Sequence, residues 1–143
     1  VCSSDLLARV LYELAGAPAQ TGIPPYTDAT EGQWYSAALC WAAETGLMTG
    51  YGDGTFGVAD PLTREQLASV LYRLDGGVPA PAAAELDFPD LPELSSWARE
   101  GMTWAVSLGL LYGRQAGEET YLAPQAQATR AEFAAILCRY LEQ

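Results

Sequence analysis

One helical pattern occurs three times along the chain. In its clearest copy, Thr63 and Gln66 have the spacing of a capping box, in which each side chain accepts the other residue's backbone N–H. An apolar stripe with the period of an amphipathic helix follows and consists of Leu67, Val70, Leu71 and Leu74. The stripe begins at Leu7, Leu67 and Phe133 in the three copies, which are therefore 60 and 66 residues apart. Recurrence at a near-constant distance predicts an internal repeat.

A second set of landmarks recurs in a fixed order between these helices. It contains an aromatic-x-Asp motif, two tryptophans and a glycine: Tyr26-Thr27-Asp28, Trp34, Trp41 and Gly46, and then Phe88-Pro89-Asp90, Trp97, Trp104 and Gly109. The segment 50–56, Gly-Tyr-Gly-Asp-Gly-Thr-Phe, adds a glycine-rich turn. Three glycines in so short a span predict positive φ angles or a close backbone approach, although ordinary turn chemistry would also explain them.

These motifs together resemble the S-layer homology (SLH) repeat. The resemblance depends on the aromatic-x-Asp motif, the tryptophan after it, the glycine-rich turn and the Thr-Arg pair at 63–64 and 129–130. It covers nearly the whole chain, which we expect to form a single SLH-type domain over 1–143. Within that domain, residues 1–16 are a partial repeat one, 26–76 are repeat two and 88–143 are repeat three. Because the chain starts inside a repeat, we expect it to be a fragment of a longer protein.

We expect an all-α fold, because the apolar helix faces have only one another to pack against. The helices are predicted from Ser3 to Ala15, Trp34 to Thr45, Thr63 to Leu74, Trp97 to Leu108 and Arg130 to Leu141. Short extended pieces are predicted at Thr55-Phe56 and Thr120-Tyr121, and a linker over 76–84. The SLH resemblance implies that the helix-loop-helix repeats form a pseudo-threefold bundle.

Composition excludes several classes of function. A net charge of −11 and a pI near 4.1 argue against nucleic acid as a partner. The chain has no histidine, which is the commonest catalytic base and metal ligand, and its three cysteines lack metal-site spacing. No nucleophile–base pair stands out, and no apolar run approaches the length of a spanning helix. We therefore expect no enzyme activity, no metal, no cofactor and no membrane insertion.

The resemblance implies grooves between repeats that bind secondary cell-wall polymer, an acidic or pyruvylated glycan. In SLH repeats these grooves are lined by the Arg of the Thr-Arg motif, the Trp that opens the first helix and the Gly of the turn. The corresponding ligand-binding candidates are Arg64, Trp34, Gly50, Arg130, Trp97 and Gly113. Core packing is an open alternative for the two tryptophans. The helix dipole disfavours a cation in the first helical turn, which favours a functional reason for the two arginines. We expect Asp28 and Asp90 to cap loops rather than bind ligand.

Binding is expected chiefly in the groove that contains Arg64, because repeat two alone keeps every motif. Repeat one has Ser4 where the arginine would be, and repeat three replaces the glycine-rich turn with residues 114–119. The predicted function is non-covalent anchoring of a bacterial surface protein to the cell wall, outside the cell. The alternative is a diverged SLH scaffold that binds another protein or a host ligand.

Overall fold

The fold is mostly helical, as the sequence predicts. The computed structural model describes residues 3–20, 22, 24–48, 50–77 and 86–142. Its helices are α1 (Ser4–Leu14), α2 (Ser36–Thr45), α3 (Arg64–Leu74), α4 (Arg99–Ser107) and α5 (Arg130–Leu141). Strands β1 (Arg114–Ala116) and β2 (Glu119–Tyr121) form an antiparallel hairpin in which Arg114 lies opposite Tyr121. The expected helical class is confirmed, and the threefold arrangement stays a prediction. Most of the predicted linker, residues 78–84, lies outside the described residues.

Local capping fixes two helix starts as predicted. Thr63 and Thr129 each form the complete capping box at the start of α3 and α5. In contrast, α2 and α4 begin two residues later than expected. Trp34 lies in a turn before α2, and Trp97 lies in the 3₁₀ turn Ser96–Ala98 before α4.

Only one of the two predicted extended pieces is a strand. Thr120 and Tyr121 belong to β2. Thr55 and Phe56 belong to no strand, and the Tyr51 N–H donates to the Thr55 carbonyl and closes the glycine-rich loop on itself. Positive φ angles at the intervening glycines allow this closure.

The chain divides into two compact units, Cys2–Pro61 and Leu62–Gln143, here called the amino-terminal and carboxy-terminal units. The amino-terminal unit pairs α1 with α2. The carboxy-terminal unit pairs α3 with α4 and also holds the hairpin and α5. The boundary falls inside repeat two, so each unit joins the second helix of one repeat to the first helix of the next.

The same aspartate-centred loop occurs in both units. The Asp28 carboxylate accepts the N–H groups of Phe56 and Gly57 at 2.8 and 2.7 Å. The Asp90 carboxylate accepts the corresponding N–H groups, those of Leu122 and Ala123, at 2.9 and 2.8 Å. Each aspartate ties the segment after the first helix to the loop before it, which is the loop-capping role expected of both.

The leading helix of each unit is also capped in the same way. Its first two N–H groups would have no partner inside the helix. In each unit they donate to carbonyls of the turn that precedes the next Thr cap, Thr63 or Thr129: Ser4 to Asp60, Asp5 to Val58, Arg64 to Ala126 and Glu65 to Pro124. The donors of the two units are 60 positions apart and the acceptors are 66 positions apart, which are the two distances between the sequence repeats.

Each unit buries an aromatic pair between its two packed helices. Tyr12 and Trp41 meet with ring centroids 5.9 Å apart, and Tyr72 and Trp104 meet at 5.8 Å. The predicted core residue Leu71 is 1% exposed. Gly101 allows the α3–α4 approach, because a Cβ there would lie 2.9 Å from the Ser69 Cα.

Candidate functional site

Arg64 is a buried residue with three internal hydrogen bonds. Its side chain lies in the carboxy-terminal unit, and the residue is 2% exposed. Nε donates to the Leu122 carbonyl at 3.1 Å, and Nη2 donates to the Tyr112 carbonyl at 2.6 Å. Nη1 forms an ion pair with Glu132. Burial lowers the pKa of the Arg64 guanidinium, while Glu132 acts in the opposite direction. These bonds explain why an arginine occupies the first turn of α3, which helix electrostatics disfavours.

Glu132 joins two guanidiniums from opposite sides. One carboxylate oxygen pairs with Arg64, and the other pairs with Arg114 and accepts the Thr129 N–H at 3.2 Å. Burial alone would raise the pKa of Glu132, but the hydrogen bonds from Arg114, from the Thr129 N–H and from Arg64 together lower it. The carboxylate is therefore ionised at neutral pH and orients both arginines.

A pocket of about 270 Å³ surrounds this carboxylate in the carboxy-terminal unit. Its lining residues are Arg64, Tyr112, Gly113, Arg114, Glu132, Ala135, Ile136 and Arg139. Three arginines and a single acid line it, in a chain that has only seven basic residues and a net charge of −11. The arrangement is suited to an anionic group, since guanidiniums offer several N–H donors to carboxylates and phosphates.

Arg114 and Arg139 are the more accessible cations of the pocket. The Arg114 side chain is 40% exposed, and its Nη2 also donates to the Gln127 carbonyl at 2.9 Å. Arg139 Nη1 donates to the Leu110 carbonyl at 3.0 Å. The Arg139 guanidinium carbon lies 4.3 Å from the centroid of the Tyr112 ring, and Tyr112 is 61% exposed.

Of the six residues predicted for the site, the structure brings only Arg64 and Gly113 together. A Cβ on Gly113 would lie 2.4 Å from Thr120 Cγ2 and 2.9 Å from the Tyr121 carbonyl oxygen, so the hairpin requires a glycine there. Trp97 is 56% exposed and is not part of the pocket lining. Arg130 is exposed in the first turn of α5, and the described residues give its guanidinium no hydrogen-bond or ion-pair partner.

The other two predicted residues belong to the amino-terminal unit. Trp34 is 52% exposed, and its carbonyl accepts a hydrogen bond from the Arg9 guanidinium. Core packing, the alternative for the tryptophans, is therefore wrong for both Trp34 and Trp97. Gly50 has φ +75°, and a Cβ there would lie 2.6 Å from the Thr55 carbonyl oxygen. The backbone of this turn therefore requires a glycine at position 50.

Sequence reasoning missed four residues that shape the pocket: Tyr112, Arg114, Glu132 and Arg139. One signal for Glu132 was available, because it is the capping-box partner of Thr129. In the sequence, Arg114 belongs to segment 114–119, which replaces the glycine-rich turn, and no motif marks it as a site residue. Among the described residues, no group of three His, Cys, Asp or Glu side chains is placed to hold a metal ion. No described helix has both the length and the apolar character needed to cross a membrane.

The fold and pocket define a helical-repeat protein with an arginine-lined pocket. The sequence pattern of the S-layer homology domain matches residues 25–68 and 87–134, together more than half of the chain. The chain therefore belongs to the S-layer homology domain family, and the two matched segments overlap the predicted repeats two and three, whose bounds stay a prediction.

Known relatives include surface-layer proteins. The chain is 29% identical over 121 residues to the surface-layer 125 kDa protein of Lysinibacillus sphaericus, which covers 82% of this chain and 10% of that protein. It is 30% identical over 146 residues to an amylopullulanase of Thermoanaerobacterium thermosulfurigenes, which covers 100% of this chain and 8% of that protein. An undecaheme cytochrome from the S-layer of Carboxydothermus ferrireducens aligns structurally with a TM-score of 0.48 and 19% identity, over 99% of this chain and 22% of that one.

The chain thus spans about a tenth of the length of these two curated relatives. Its family is typical of proteins anchored at the bacterial cell surface, and the predicted cell-surface location is confirmed at this level. The match to the amylopullulanase is a match to an SLH region and transfers no activity to this chain.

Proposed function

We propose that this chain anchors a bacterial surface protein to the cell wall by binding an acidic secondary cell-wall polysaccharide, without catalysis. The observation that carries the proposal is a pocket of the carboxy-terminal unit that is lined by three arginines and one carboxylate, two of the arginines being paired with that carboxylate. Membership of a family found in surface-layer proteins supports the same function.

A local cationic pocket is needed because the chain as a whole is acidic. A net charge of −11 repels a polyanion. At physiological ionic strength, charges more than about 8 Å away are largely screened. An acid group that enters the pocket therefore interacts mainly with the arginines that line it, and charge-assisted hydrogen bonds of this kind contribute about 1.5–3 kcal/mol each.

The exposed tryptophans fit the same function as sugar-stacking surfaces outside the pocket. Trp34 and Trp97 are both more than half exposed, and the apolar face of an indole ring can cover the C–H face of a pyranose. Arg130 offers a further exposed cation. We retain all three as ligand-contacting candidates, and we assign Gly50 and Gly113 the role of shaping the turns.

Wall sedimentation tests the proposal. The chain is mixed with purified cell walls that retain their secondary polymer and with walls from which the polymer has been extracted. We expect sedimentation with the intact walls only, and release by the soluble acidic polymer but not by a neutral polysaccharide of similar size. Equal sedimentation with both wall preparations would contradict polymer binding and would favour a protein partner instead.

A further inference from the structure

We infer that Arg114, Arg139 and the Tyr112 ring form the ligand-contacting surface of the pocket and select a sugar that carries a carboxylate or phosphate, whereas Arg64 and Glu132 position them. This inference rests on the proposed function and deepens it, because it moves the direct contacts away from the arginine of the Thr-Arg motif.

Burial separates the two roles. Arg64 is 2% exposed, and each of its three nitrogens already donates to an internal acceptor. These bonds use three of its five N–H groups, and its burial leaves little of the guanidinium accessible to a ligand. Arg114 has a 40% exposed side chain, and the described residues give its Nε and Nη1 no acceptor. Arg114 is therefore able to bind an incoming anion without losing its own contacts.

A comparison between the units shows that the positive charge of Arg114 is not needed for the turn. Counted from Gly50 and Gly113, Arg114 stands where repeat two has Tyr51. The Tyr51 hydroxyl donates to Asp60 at 2.6 Å, and Arg114 Nη2 donates to the Gln127 carbonyl at 2.9 Å. Both side chains thus tie the turn to the segment before the next helix. The guanidinium keeps this tether and adds a cation to the pocket wall.

The charges that line the pocket leave positive charge uncompensated. Glu132 is shared between Arg64 and Arg114, and Arg139 bonds to a carbonyl rather than to an acid. The nearby Asp90 interacts electrostatically with Arg64, but its carboxylate oxygens accept the Leu122 and Ala123 N–H groups. An anion between Arg114 and Arg139 would supply the missing negative charge.

Tyr112 gives the pocket a surface for a sugar ring. It is 61% exposed, and the Arg139 guanidinium covers one face of its ring at 4.3 Å. Contact with the cation fixes the ring, and aromatic faces next to polar groups suit the mixed apolar and polar surface of a sugar. The acid group and the ring of one sugar residue can therefore be bound by adjacent side chains.

NMR titration of the whole chain with three sugars tests the inference. Glucuronate and glucose 6-phosphate carry the two candidate acid groups, and glucose carries neither. We expect saturable amide shifts at residues 112–114 and 139 with at least one of the acids and none with glucose at the same concentration. Shifts of equal size with glucose, or shifts confined to other residues, would overturn the inference.

Matched variants locate the contacts. Arg114→Tyr introduces the residue of repeat two, which removes the cation but keeps a hydrogen-bond donor, and Arg139→Gln removes the second cation. Each should weaken binding of the acid by about tenfold to a hundredfold, the range for one charge-assisted hydrogen bond. Arg99→Gln, at an exposed site outside the pocket, removes the same charge and should change binding less than about twofold.

The outcomes separate this inference from the proposed function. Normal binding by both folded pocket variants would overturn the inference even if the chain sediments with intact walls. If the parent chain binds the sugar acid at the pocket but does not sediment with intact walls, the anchoring function is rejected and the pocket assignment stands. Amide spectra of each variant show whether it is folded, and Arg139→Gln remains a test of its own if Arg114→Tyr alters the hairpin.

Discussion

Replacing Arg64 with alanine should destabilise the carboxy-terminal unit far more than replacing Arg130. The two arginines occupy the same place in the Thr-Arg motif, so the sequence does not distinguish them. The structure does, because Arg64 is buried with three partners and Arg130 is exposed without one among the described residues.

The magnitude follows from the acceptors that Arg64→Ala leaves behind. The carbonyl of buried Leu122 loses its side-chain donor, which costs about 1–3 kcal/mol if no water replaces it. Tyr112 is 61% exposed as a residue, so we expect water to replace the lost donor at its carbonyl and the added cost to be small. Glu132 keeps Arg114 and the Thr129 N–H, which makes the loss smaller than the roughly 3–5 kcal/mol of a fully buried pair. We expect about 2–4 kcal/mol in total for Arg64→Ala and less than about 0.5 kcal/mol for Arg130→Ala.

Urea unfolding of the whole chain, followed by circular dichroism, measures the two losses. Hydrogen exchange of the α3 amides then assigns the change to the carboxy-terminal unit, since the two units need not unfold together. If the two alanine variants have the same free energy of unfolding to within about 0.5 kcal/mol, the internal network of Arg64 contributes no stability and the reasoning fails.

Three further predictions concern stability. The folded state lowers the pKa of Glu132, so its stabilising contribution is present above its ordinary pKa of 4.5 and is lost as the pH falls through the folded-state value. Urea midpoints measured from neutral pH to about pH 3 should therefore fall less steeply in Glu132→Gln than in the parent. Gly50→Ala should lower the free energy of unfolding by about 2 kcal/mol or more, because a φ of +75° is combined with a Cβ 2.6 Å from the Thr55 carbonyl oxygen. In Gly52→Ala the new Cβ would meet no atom within 4 Å, so the loss should be only about 1–2 kcal/mol for the positive φ. Equal thermal denaturation of the two variants would contradict the steric argument. Leu71→Ala should cost about 2–5 kcal/mol in denaturant melts, and a loss under about 0.5 kcal/mol would mean that the apolar face of α3 is misassigned.

Much of the fold could be predicted because its signals are local. The capping boxes at Thr63 and Thr129 involve residues three positions apart, and both helices start where those boxes place them. The pocket depends instead on contacts between distant residues. Arg64 and Glu132 are separated by 68 positions, and no local pattern in α3 or α5 indicates that these two residues pair.

The repeat pattern also misdirected the grouping of site residues. It places Arg64 with the turn that precedes it in repeat two, whereas the structure bonds Arg64 to carbonyls of repeat three. Arg114 looked like the loss of a motif, because the sequence does not show that its side chain replaces the tether of Tyr51. The order of the motifs thus identifies the family, but it does not show which turn supplies the hydrogen-bond acceptors of each arginine.

The unit that recurs in the sequence and the unit that packs are out of phase by half a repeat. Helices α2 and α3 lie in the same sequence repeat, yet their packing partners are α1 and α4. A chain cut at the linker over 76–84 would therefore separate α3 from α4 and leave each without its packing partner. A cut near Pro61, before α3, would instead keep both packed pairs whole, although it falls inside sequence repeat two.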